Sequence, residues 1–114
     1  MRKLVAAGLA EGAVGMSSGL TYTPGMYADT DELVALCAVV GAGGGYYSPH
    51  HRSYGAGALE AYAEMVDVSR RSGCPLHIDS WRLNDASSAR RYRLTRYTAG
   101  RGDRPCHDGI QVLD

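Results

Sequence analysis

Eleven residues, Gly44 to Tyr54, hold most of the groups in this chain that could do chemistry. They read Gly-Gly-Tyr-Tyr-Ser-Pro-His-His-Arg-Ser-Tyr. Tyr46 to Pro49 is rich in strand formers, so His50 falls where a strand ends and a loop begins. A neutral imidazole nitrogen is the commonest zinc donor, and a strand end is a good place to present one. His50 is therefore the candidate metal ligand. The competing reading is a histidine that only hydrogen-bonds within its loop. His51 alternates with His50 along the strand and is expected to face away, towards surrounding helices. Arg52 could grip a substrate carboxylate with its planar fork, or stand as a solvated loop cation. Tyr22, in an earlier loop, could donate its phenol to a developing oxyanion, or pack on Pro24. His77 lies before a third strand end and is expected to be a semi-buried, satisfied histidine.

These residues need elements to hold them. Arg2 to Glu11 has helical spacing and meets Gly12. Ala13 to Ser17 is a short apolar run suited to a buried strand. A Gly/Pro/Thr loop follows from Ser18 to Gly25. Asp29 with Glu32 three residues later forms a capping-box pattern. Leu33, Leu36, Cys37 and Val40 then mark one helical face. After Gly41–Gly45 comes the Tyr46–Pro49 strand. A helix is expected from Ala56 to Arg71, with Leu59, Tyr62 and Val66 inward and Glu60, Glu64 and Arg71 outward. Ser72-Gly73 ends it, and Pro75–Ile78 is a third short strand.

The order is helix, strand, helix, strand, helix, strand. That alternation predicts an α/β fold with parallel strands, buried on both faces. Active groups in such folds sit at strand C-termini, where His50 and the Tyr22 loop fall. Three strand–helix units cannot close an eight-stranded barrel. The expectation is a partial (β/α)8 barrel over residues 1–78, seeking either self-association or complementing barrel segments.

Composition bounds the partners. The 114 residues carry formal net charge +0, which gives no electrostatic case for nucleic acid or a membrane surface. No apolar run is long enough to span a bilayer. The 3 cysteines show no paired spacing. Cys37 and Cys74 read as small core residues of a reducing compartment, so a cytoplasmic location is the expectation. Charge is uneven: seven of the 12 basic residues, all arginine, fall after Ile78. Residues 79–114 are therefore a separate, weakly periodic tail, with a helix expected around Ala86 to Tyr97. Arg101-Gly102-Asp103 and Cys106-His107 lack the context that would make either an adhesion or a zinc motif.

Several runs in order carry a family resemblance. Glu11 to Gly25 (EGAVGMSSGLTYTPG), Tyr27 to Leu33 (YADTDEL), the Gly44–Tyr54 run and Ser72 to Ile78 (SGCPLHI) resemble the N-acyl-D-amino-acid deacylases, or D-aminoacylases, of the amidohydrolase superfamily. The resemblance covers about residues 1 to 78. It implies a zinc-dependent hydrolase on a (β/α)8 barrel, cleaving the amide of N-acyl-D-amino acids. It places His50 on a zinc-ligand position and Tyr22 on a loop tyrosine that polarises the scissile carbonyl. Arg52, beside the metal histidine, becomes a candidate for the substrate carboxylate.

The sequence departs from that pattern at Asp79. Where the family presents a second zinc histidine, in a pattern like Ile-Thr-His, this chain has Ser80. N-terminal ligands and a late catalytic aspartate are also missing. Asp79-Ser80-Trp81 encoded as GAC-TCA-TGG would read Thr-His in the next frame. The expectation is a piece of such an enzyme, inactive alone, with an out-of-frame tail. The alternatives are a non-catalytic interaction protein that keeps the scaffold, and one part of a split enzyme.

Overall fold

A computed structural model describes residues 1–78 together with two short strands, Tyr92–Arg93 and Gln111–Val112. Helix α1 spans Arg2–Ala10 and strand β1 spans Gly15–Gly19. A 3₁₀ helix at Gly25–Tyr27 leads into α2, Thr30–Ala42. Strand β2 is Tyr46–His50 and α3 is Ala58–Ser72. The two later strands, β3 (Tyr92–Arg93) and β4 (Gln111–Val112), pair antiparallel.

The helix ends follow local chemistry. Gly12 takes φ 110° just past α1, a conformation that strains any residue with a Cβ. Asp29 caps α2 by accepting the Glu32 N–H at 2.7 Å, as the capping-box pattern predicts. Gly73 closes α3 in the left-handed region at φ 68°, with Arg70 and Arg71 in the last turn beside the negative end of the helix.

β1 and β2 pair in parallel, with Gly15 opposite Tyr46 and Gly19 opposite His50. Leu76 adds a single parallel bridge to Tyr47. It is held by Tyr47 N–H to the Pro75 carbonyl and His77 N–H to the Tyr47 carbonyl, each 2.8 Å. The strand positions thus run in chain order. β1 begins two residues later than the apolar run suggested. The expected third strand is reduced to that one bridge among the described residues.

Both α2 and α3 pack on one face of the sheet. Leu33, Cys37 and Val40 of α2 meet Tyr47, Leu76, Met65 and Val68 in the core. The α3 face differs from the expected one. Ala58, Ala61, Tyr62, Met65, Val68 and Ser69 are buried, while Leu59 and Val66 flank them half-buried. Ala58 and Ala61 are covered on this face, a burial that a count of large apolar residues overlooks.

The expectation of strands buried on both faces is corrected. Along β2, Tyr47 and Pro49 are buried while Tyr46 and His50 are exposed. Side chains alternate across a strand, so the second face carries Gly15, Ser17 and Gly19 of β1 with Tyr46, Ser48 and His50 of β2. These residues are small, polar or amphipathic, and no described element covers them. The helix expected around Ala86 to Tyr97 is also corrected at Tyr92–Arg93, which form a strand; the remainder of that range lies outside the described residues. An arginine-rich segment without apolar helical spacing gives a helix no face to bury.

Candidate functional site

The open face ends in the candidate site. His50 closes β2 with its side chain exposed and on the uncovered side of the sheet. Its Nδ1 lies 3.2 Å from the Tyr54 hydroxyl. When Nδ1–H donates to that oxygen, Nε2 keeps a free lone pair, the form in which imidazole binds metal. Tyr54, part of the same run, had no role in the sequence reading; only its spacing of four from His50 hinted at one.

The Tyr22 loop reaches the same end of the sheet. Leu20 N–H donates to the His50 carbonyl at 3.0 Å, and Tyr22 N–H to the Gly19 carbonyl at 3.2 Å. Gly19 is the register partner of His50. A Cβ on Gly19 would stand 2.9 Å from Tyr22 Cδ2, and one on Gly25 would stand 2.6 Å from the Gly19 carbonyl oxygen. Gly25 is therefore required for the loop to fold back over the strand end, while a side chain at Gly19 would displace the exposed Tyr22 ring. Tyr22 itself is 64% exposed, so its phenol is presented to solvent and does not serve as core packing.

Arg52 has another engagement than the carboxylate grip expected of it. Nε donates to Glu64 Oε1 at 3.0 Å and Oε2 at 2.8 Å. Nη1 donates to the Met26 carbonyl at 2.9 Å, and Nη2 to the Ala28 carbonyl. The guanidinium is thus turned into the protein. Glu64, expected outward, is the residue that sequence reasoning missed. Its Oε1 also accepts the Thr30 hydroxyl at 2.8 Å. The available signal was one carboxylate on α3 with an arginine at the preceding strand end.

His51 faces the helices as expected. It is 2% exposed, with ring centroids 4.1 Å from both Tyr54 and Tyr62. Neither ring nitrogen has a hydrogen-bond partner. Burial lowers its pKa below the usual histidine value; the backbone of His51 and of Ser53 opposes this and the neighbouring His50 adds to it. It is an aromatic core residue packed between Tyr54 and Tyr62. His77 departs from expectation. It is exposed, on the open face, and its ring meets Tyr46 edge-on at 6.2 Å. The bridge of Leu76 to Tyr47 sends Leu76 inward and so turns His77 outward.

Behind the site the core is closely covered. Tyr47 is fully buried, with its hydroxyl 2.6 Å from Ser18 Oγ. Burial pushes its phenol up to about 12 in spite of that bond. Burial, with the nearby Cys74 thiol, likewise pushes Cys37 up to about 12. Both cysteines are free and buried, the small core residues expected; neither is an activated nucleophile.

Zinc needs three or four donors. Among the described residues no three His, Cys, Asp or Glu side chains converge. His50 is a single donor, so these residues do not by themselves fit a resident zinc. Ser80 lies outside the described residues. Among the described residues no helix is long and apolar enough to cross a membrane.

No family model matches the chain. Similarity to individual proteins is clear. The chain is 40% identical over 74 residues to an N-acyl-D-glutamate deacylase of Alcaligenes xylosoxydans xylosoxydans, covering 65% of this chain and 15% of that protein. It is 32% identical over 95 residues to a D-aminoacylase of the same organism, covering 83% of this chain and 20% of the relative. This second match must run past Ile78, since 95 residues exceed the 78 before the tail. The crystal structure of N-acyl-D-glutamate deacylase from Bordetella bronchiseptica, complexed with zinc and a phosphonate mimic of the tetrahedral intermediate, superposes with TM-score 0.66 at 32% identity. That match covers 68% of this chain and 16% of the solved one. The chain spans about a fifth or less of the curated relatives it matches. Over that segment its homologues and structural neighbours are N-acyl-D-amino-acid deacylases of the amidohydrolase family.

Proposed function

We propose that this chain is a piece of a zinc-dependent amidohydrolase barrel that hydrolyses N-acyl-D-amino acids, and that it is inactive alone. The observation that carries this is the open sheet face ending in His50. Three strand positions in chain order, with the described helices α2 and α3 packed on one side, leave the other side for further strands to enclose. In this reading His50 supplies one donor to a zinc whose other ligands lie on other segments. Tyr22 is set beside it to stabilise charge developing on the amide oxygen. A zinc ion would supply Lewis acidity and a lowered water pKa. No general base for the reaction is assigned among the described residues.

That no three donors converge among the described residues supports inactivity of the isolated chain. Purified chain is expected to bind zinc at well below one equivalent and to show no turnover of N-acetyl-D-glutamate or N-acetyl-D-methionine. Stoichiometric zinc with turnover would overturn the inactivity. Zinc-dependent turnover only after mixing with a second polypeptide would support a split enzyme. Stable, zinc-free complex formation without turnover would favour a non-catalytic interaction protein. The tail is read from the gene. A TCA codon at Ser80 and family-like sequence in the next frame are expected if residues 79–114 are out of frame. The D-aminoacylase match already continues past Ile78 in the present frame, which weighs against a frame change at Ser80; a codon other than TCA there, or no family-like sequence in the next frame, would sink the proposal.

A further inference from the structure

We propose that Arg52 is a positioning residue that locks the Tyr22 loop onto the strand end carrying His50. The roles of Tyr22 and His50 rest on the reading above; the lock rests on geometry alone. One guanidinium joins four places in the chain. It sits in the loop just past the end of β2 and bonds Glu64 in the middle of α3 through Nε. Its two terminal nitrogens donate to the carbonyls of Met26 and Ala28, either side of the end of the 3₁₀ helix. Glu64 ties in the fourth place, Thr30 at the start of α2.

The path to Tyr22 is short. Met26 N–H donates to the Tyr22 carbonyl at 2.8 Å, so holding Met26 holds the Tyr22 backbone. Fixing one end of the loop is the work of Leu20, bonded to the His50 carbonyl. Fixing the other is the work of Arg52. The Arg52–Glu64 pair is partly shielded, with side-chain exposures of 28% and 14%, so it competes less with water than surface pairs do, while the bond to the Met26 carbonyl is exposed. Only a planar fork can reach a carboxylate and two separate carbonyls at once. A lysine is a point charge and can keep the Glu64 pair alone.

That difference supplies the test. Amide hydrogen exchange is followed in this chain for wild type, Arg52→Lys and Glu64→Gln. In Arg52→Lys, the Tyr22, Met26, Tyr27 and Ala28 amides are expected to exchange at least about tenfold faster, the scale of one lost charge-assisted hydrogen bond. The Val40 and Val68 amides in the core should keep their wild-type protection. In Glu64→Gln, which keeps both carbonyl bonds, the loop amides should stay protected. Unchanged loop exchange in Arg52→Lys, or loop and core rising together, would overturn the lock. So would loosening of the loop by Glu64→Gln as large as that by Arg52→Lys. Failure of the deacylase reading would be seen separately, in zinc content and turnover.

Discussion

The two faces of the small sheet obey different rules. The helix side is closed: Tyr47, Leu76, Leu33, Cys37, Val40, Met65 and Val68 are each 3% exposed or less. The other side carries glycine, serine, tyrosine and histidine, and a hollow of about 320 Å³ lies along β1 against Tyr46 and Ser48. The first face supplies the hydrophobic free energy that holds the segment together. The second contributes little to that and presents the groups that could do chemistry. Stability and candidate function are thus separated across a single strand, with alternate residues of β2 serving each.

The sharpest way to break this comparison is to empty the closed face. Met65→Ala removes a fully buried side chain and is expected to cost about 2–5 kcal/mol, enough to unfold a marginal segment. Urea denaturation followed by far-UV circular dichroism measures it; a loss below about 1 kcal/mol, closer to the scale of surface changes, would mean the face is not a packed core. Gly15→Ala comes next. Its Cβ would stand 2.3 Å from the Tyr46 carbonyl oxygen, so β1 and β2 must separate, at about 1–3 kcal/mol on the same urea scale. This effect would come from the open face, and its absence would show that the backbones can part there without cost.

Smaller effects sharpen the contrast. His51→Phe keeps an aromatic ring between Tyr54 and Tyr62 and removes two unpartnered nitrogens, so stability should change by less than about 1 kcal/mol, in either direction. A large loss would reveal that the imidazole nitrogens are used. His77→Ala, on the open face, should stay within about 0.5 kcal/mol in the same melt. A greater loss would mean that this face is already covered, for example by a second copy of the chain, which sedimentation would detect.

Local patterns were well legible. The Asp29 cap, the Leu33–Cys37–Val40 face, the Gly73 stop and the opposite directions of His50 and His51 all follow from short-range geometry. The α3 face was misread because alanine packs closely without looking hydrophobic. His77 was misread because its direction depends on which neighbour Leu76 bridges, a contact between distant parts of the chain. Strand burial was misread because apolar content alone does not say whether a second layer is present.

What the sequence determined by itself was the order of elements, their caps and the placement of His50 at a strand end. Hydrogen bonds and side-chain periods act over a few residues, so they can be read in one dimension. Only the tertiary structure decided which sheet face the described helices cover, and that Arg52 turns inward to Glu64, Met26 and Ala28. An arginine at a strand end is equally suited to a substrate carboxylate or a protein one. Which of them it meets depends on where α3 and the Tyr22 loop come to lie. That is settled by packing between elements twelve and more residues apart.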